Sequence, residues 1–261
     1  MNDQPTGQRP EFSTAHLTGQ MFLYEQPELL TEEQHGDLGF TPPERPHEHL
    51  RTIRAVPLTM VEFGTAQRHY PIIFSNLENP VPLAVVAVLD SGNLFVGDDG
   101  RWDDMAYLPS YIRCHPFTVT GPDEEKLAVV IDRAAASISG NPEFPFFVDG
   151  KPSEHTNNLM NFCAQNEIER RKTLKFCENL KSLDLLTTYR STHQAPGTEE
   201  AVPLADYHSI NVEKLNELSE SDVYELHKTG QLAQIFMQVY SIENFRHLVV
   251  RHEKAKAAAR A

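Results

Sequence analysis

With 261 residues, 40% of them hydrophobic, the chain is long enough for one large domain or two small ones with a real core. Its formal net charge of −14 argues against nucleic acid as a partner, because duplex binding needs a basic face to displace counterions. The same acidity disfavours anionic lipid and reads as solubility.

The first 20 residues are polar and are expected to form a disordered leader. They lack a basic stretch followed by an apolar run, so no cleaved secretory signal is expected. No segment approaches the roughly 20 consecutive apolar residues that span a membrane. The expected location is therefore cytoplasmic, without membrane insertion. Three cysteines, Cys114, Cys163 and Cys177, make an odd count that does not form a disulfide framework. They are read as packing residues in a reducing compartment, with Cys163 and Cys177 on a shared helical face.

Met21–Leu50 mixes aromatics with prolines and is expected to be an ordered arm on the body of the protein. From Ile53 the pattern becomes β-like. IRAVPLTMVEF, YPIIF (Tyr70–Phe74) and PLAVVAVLD (Pro82–Asp90) are short runs, the latter two apolar on both faces, as in buried strands. Gly97–Gly100 supplies turn chemistry before Trp102, LPSYIR reads as a short helix, and FTVTG and LAVVID (Leu127–Asp132) as further strands. Closely spaced strands with few helices between them favour antiparallel pairing.

The second half is helical. Ser153 is expected to cap a helix running to about Leu186, with Leu159, Phe162, Cys163, Leu174, Cys177, Leu180 and Leu183 forming its apolar stripe. Glu167, Glu169, Arg170, Arg171 and Lys172 interrupt that stripe. They are read as a solvated face laced with ion pairs, the alternative being an arginine-containing polar layer that faces a cleft. A loop around Gln194–Gly197, a brief strand near Leu204–Ile210 and a short helix over Val212–Leu218 follow. Ser219 with Asp222 opens another helix that Gly230 terminates, and Leu232 to Leu248 form a final amphipathic helix. Residues 251–261 are expected to be a frayed tail. The expected fold is α+β: one domain over 21–250, with an antiparallel sheet packed against C-terminal helices and an extended N-terminal arm.

The order and spacing of MFLYEQPELLTEEQHGDLGF, VPLTMVEF, HYPIIF, NLFVGDDGRW, YLPSYIRCHPF and FFVDGKPSE resemble the bacterial SapC family. The likeness continues through Glu169–Thr173 and Leu226–His247. It implies a single domain of about this size and a name drawn from surface-layer (S-layer) biology. It also implies genes encoded near tryptophan-halogenase-like proteins and TonB-dependent receptors, an indirect pointer to partners. No family catalytic residues are carried over.

Among the residues themselves, Trp102, Tyr107 and Tyr111 with Arg101 and Arg113 are the candidate ligand-binding set. A guanidinium beside aromatics suits a carboxylated ligand such as an amino acid. His47 and His49 flank Glu48 in a loop and are weak candidates for a metal site, with no HExxH or HxD pattern beside them. The aspartates around Trp102 (Asp98, Asp99, Asp103, Asp104) are read as turn formers rather than a cation loop. His115 reads as a hydrogen-bonded structural histidine, and Asp132 with Arg133 as a strand-end ion pair. No GxSxG, P-loop or GxGxxG is present, and Cys114 with His115 cannot form a dyad because adjacent side chains diverge. These readings favour a non-catalytic binding or accessory protein for a small carboxylated or aromatic ligand or peptide. The alternatives are an envelope-associated structural protein and a metal-dependent enzyme using His47 and His49. No cofactor is expected.

Overall fold

Short β-branched runs pair into small antiparallel sheets, and one long helix ties them together. The computed structural model describes residues 21–121, 127–194 and 201–258; the leader, the residues after Gln194 in the expected loop and the last three of the tail lie outside them. Strand β1 (Pro27–Leu29), helix α1 (Glu32–His35), β2 (Gly39–Phe40), β3 (Ala55–Pro57), α2 (Phe63–Ala66), β4 (Ile72–Phe74) and β5 (Pro82–Val85) come first. Helix α3 (Ser110–Cys114) leads into β6 (Phe117–Thr120) and β7 (Ala128–Asp132), then the short strands β8 (Ile138–Ser139), β9 (Phe144–Pro145), β10 (Phe147–Val148) and β11 (Lys151–Pro152). The remainder is α4 (Glu154–Ser182), the hairpin β12 (Leu186–Gln194) and β13 (Ala201–Ile210), and helices α5 (Val212–Asn216), α6 (Glu220–Lys228), α7 (Gln231–Ser241) and α8 (Asn244–Ala258). The fold is α+β, as its sequence pattern implies.

The larger core lies on a five-stranded sheet of order β12-β13-β4-β5-β3. Its strands pair antiparallel, with Ile73 opposite Leu83 and Val56 opposite Ala84. The seam between β13 and β4 holds a single paired position, His208 opposite Phe74. Backbone groups along that seam would otherwise be buried without partners. Helix α7 supplies them: Gln238 Nε2 donates to Ile72 O at 2.7 Å, Gln238 Oε1 accepts from Ile210 N at 3.3 Å, and Ser241 Oγ accepts from Ile72 N at 2.9 Å. Two buried polar side chains thus fix how the C-terminal helices sit on the sheet.

A smaller core of Cys114, Phe117, Val119, Ile131, Phe146 and Cys163 lies against the sheet β1-β7-β6. The N-terminal arm belongs to this sheet: β1 pairs with β7, Phe22 stacks on Tyr111 at 5.0 Å, and Tyr24 Oη donates to Phe117 O at 2.6 Å. Helix α4 joins the two cores, placing Cys163 in the smaller and Phe176, Cys177 and Leu180 in the larger. Ser153 caps it by accepting from Thr156 N at 3.2 Å.

Four expectations are corrected. Helix α4 ends at Ser182, not Leu186, because Leu186 opens β12, a polar strand that the sequence pattern hides. The terminal helix is two: Asn244 turns inward and donates to Gln67 O and Tyr70 O at 2.7 and 3.1 Å, and the helical ladder breaks before it. Helix continues through residues 251–258, where Arg251 pairs with Asp103 at 2.7 Å and His252 is buried. Glu167 is 5% exposed and held by Arg170 and Arg171, so these three form a largely buried polar layer, while Lys172 stays exposed and pairs with Glu169 at 2.8 Å as a solvated ion pair. Arg171 also donates to Gly121 O at 2.9 Å, which ties the helix to the chain after β6.

Candidate functional site

The five residues of the expected aromatic-arginine set divide among different places. Trp102 is 5% exposed, stacks on Phe95 at 5.7 Å and donates its indole N–H to Tyr70 Oη at 3.2 Å. It is a core residue whose polar edge is satisfied internally. Tyr107 donates to the buried carboxylate of Glu62 at 2.9 Å, which also accepts from Ser110 N and from the Thr59 amide and hydroxyl. Tyr111 lines a hollow beside Glu62 and Arg170 of only about 20 Å³, room for one water-sized body. Arg101 is exposed in the turn, where its amide donates to Asp99 Oδ1 at 3.0 Å. Arg113 alone of the five faces a larger opening.

That opening is a basin of about 350 Å³, within the range of small-molecule sites. Four segments build it. The arm contributes Leu23 and Glu25, the loop and turn over 43–50 contribute Arg45, His47 and His49, α3 and the residue after it contribute Ile112, Arg113 and His115, and the end of β7 with residues 134–137 contributes Asp132 and a small-residue edge. Apolar groups and ionisable groups share the wall.

Asp132 anchors it. Its carboxylate, 3% exposed, accepts from Gln26 N at 2.9 Å and from Glu25 N and Ala134 N at 3.2 Å each. Its fourth partner is His115 Nε2 at 3.4 Å. Burial pushes the Asp132 carboxyl up, but the three amides and His115 outweigh it and hold the group below the usual carboxylate range. His49 stacks on His115 with ring centroids 4.6 Å apart and planes 28° from parallel. Burial, followed by repulsion from His115 and His47, brings His49 down to about 4. Burial also lowers His115, against the opposing pull of Asp132. At neutral pH the stack is two uncharged imidazoles beside an ionised carboxylate.

His47 and His49 turn to different partners. His47 Nδ1 accepts the backbone N–H of Trp102 at 2.8 Å, while His49 lies on His115. Among the described residues no group of three or more His, Cys, Asp or Glu side chains is arranged to hold a metal ion. Asp99 and Asp103 accept backbone amides two residues onward, as turn formers do. Asp132, read from sequence as a strand-end ion pair with Arg133, instead joins His115 and the arm. Its place at the end of a buried strand was the signal available. Glu25 and the His49–His115 stack were missed because their partners lie far along the chain.

An α+β protein with a histidine-rich basin between an N-terminal arm and a short helix is thus defined. The chain belongs to the SapC family, whose model matches residues 30–248. No curated protein and no solved structure matches it. Among the described residues no helix is long and apolar enough to cross a membrane.

Proposed function

We propose that this SapC-family protein is a non-catalytic binding protein whose basin takes a small carboxylated ligand, anchored by Arg113. One observation carries the reading: Arg113 lines a cavity of small-molecule size, its guanidinium lies over the Phe162 ring at 4.5 Å, and no carboxylate pairs with it among the described residues. A guanidinium steadied on an aromatic face presents a preformed fork for a carboxylate. Leu23, Phe40, Leu108 and Ile112 supply apolar wall for the body of the ligand. Cys114, Cys163 and Cys177 are all unpaired and buried, which supports a reducing, cytoplasmic setting.

Native mass spectrometry of protein purified gently from its own host, against the denatured mass, tests the reading. A bound organic mass that Arg113→Gln abolishes supports it. A bare chain that also takes up no aliphatic or aromatic carboxylate at millimolar concentration sinks it. The rival readings separate in the same preparations: recovery outside the inner membrane favours an envelope role, and stoichiometric metal lost on changing His47 and His49 favours a metal-dependent enzyme. A partner protein from the family's gene neighbourhood would show as added chain mass.

The His115–Asp132 pair supports a second reading, in which a neutral imidazole oriented by a carboxylate acts as a general base on the bound ligand. Deuterium uptake at carbon by the bound ligand in D2O, absent in His115→Asn, would establish it; no uptake would remove it.

A further inference from the structure

The charges around the basin do not suit a simple anion. Three carboxylates, Glu25, Glu48 and Asp132, and two guanidiniums, Arg45 and Arg113, line it. Glu48 is already engaged by Arg45 at 2.9 Å and by Arg51 at 2.6 Å. What remains is one cation contributed by α3, Arg113, against two anions contributed by the arm and the end of β7, Glu25 and Asp132. His47, His49 and His115 add no charge at neutral pH, since burial lowers all three. A monoanion drawn to Arg113 would share the basin with two carboxylates, Glu25 and Asp132, that have no guanidinium partner among the described residues.

We infer that the ligand is a zwitterion, carrying an ammonium group as well as the carboxylate, as a free α-amino acid does, with Arg113 as the carboxylate anchor and Glu25, backed by Asp132, as the ammonium acceptor. The inference rests on the binding role assigned to the basin and specifies its ligand class. Asp132 is saturated by three amides and His115, so it contributes its field, whereas Glu25 is exposed at the rim with its carboxylate available. The apolar wall suits a hydrophobic side chain on the same molecule.

A matched set of three compounds tests this by calorimetry on the full chain at neutral pH: phenylalanine, 3-phenylpropionate and phenethylamine. They share a ring and an alkyl chain and differ in charge. Phenylalanine is expected to bind tightest, with each singly charged analogue weaker by roughly tenfold, the worth of one charge-assisted hydrogen bond. Glu25→Gln, a change at an exposed position, should erase the advantage of phenylalanine over 3-phenylpropionate. Arg113→Gln should weaken those two alike. If 3-phenylpropionate binds as well as phenylalanine, the zwitterion is overturned and the carboxylate site survives. If phenethylamine binds tightest, or if none of the three binds at millimolar concentration, both the zwitterion and the carboxylate site fall.

Discussion

On either side of α3 the chain builds two neighbourhoods from similar residue types, and they end in opposite states. Toward the five-stranded sheet, Tyr70, Phe95 and Trp102 close on one another, with the indole N–H on Tyr70 Oη and the Tyr70 hydroxyl on Tyr107 O. Toward the arm, His49 stacks on His115 and His115 meets Asp132, but His49 stays exposed and a basin opens beside them. The first neighbourhood satisfies every polar edge internally and excludes solvent. The second keeps ionisable groups in a cavity wall, with one guanidinium lacking a carboxylate partner among the described residues. Aromatic density marks the core here, and polar groups held by distant backbone mark the opening.

The sharpest way to break this contrast is Trp102→Ala. If Trp102 is core, the change should cost about 4 kcal/mol of unfolding free energy by denaturant titration. A loss under about 1 kcal/mol would place the indole in a ligand pocket instead. Asp132→Asn comes next. It removes the charge that three arm and loop amides share, for an expected loss of about 2 kcal/mol, together with increased hydrogen exchange at Gln26. An unchanged exchange rate there would show that the arm holds its position without Asp132.

The third test is pH. His49 takes up a proton at its ordinary 6.5 when unfolded but only at about 4 when folded. The unfolded chain therefore binds more protons between these values, and stability should fall as pH falls through that window. Asp132 adds a further loss in the same direction below the usual carboxylate range. Thermal melts across the window should show a declining midpoint, with a shallower slope in His49→Gln. Equal slopes would mean that the stack does not control the profile. The smallest stability effect belongs to Arg113→Gln, about 0.5 kcal/mol for a lost cation–π contact, set against a large loss of ligand. Stability falling more than binding would reverse the assignment of Arg113.

How much of this was legible in the sequence varies with the range of the interaction. Helix α4 announced itself through Ser153 and the apolar stripe, and Ser219 with Gly230 bracketed α6, because caps act within one turn. Strand β12, LTTYRSTHQ, has no apolar alternation, since it is the outermost strand of its sheet and pairs on one side with β13. The break before Asn244 was equally silent, being set by carbonyls at Gln67 and Tyr70. The basin was the least legible part. Arg113 was named, but His49, His115 and Asp132 meet across 83 residues of chain, and no local spacing rule reaches that far.

Helix α4 has a further consequence. At 29 residues it is about 43 Å long, and it belongs to both cores. Loosening either core therefore removes packing from the helix on which the other core rests. The polar layer at Glu167 sits near its middle, where Arg171 fastens the shaft to the chain after β6. The molecule is therefore built like two floats on one spar, and it should give way as a whole, with a single unfolding transition whichever core is weakened first.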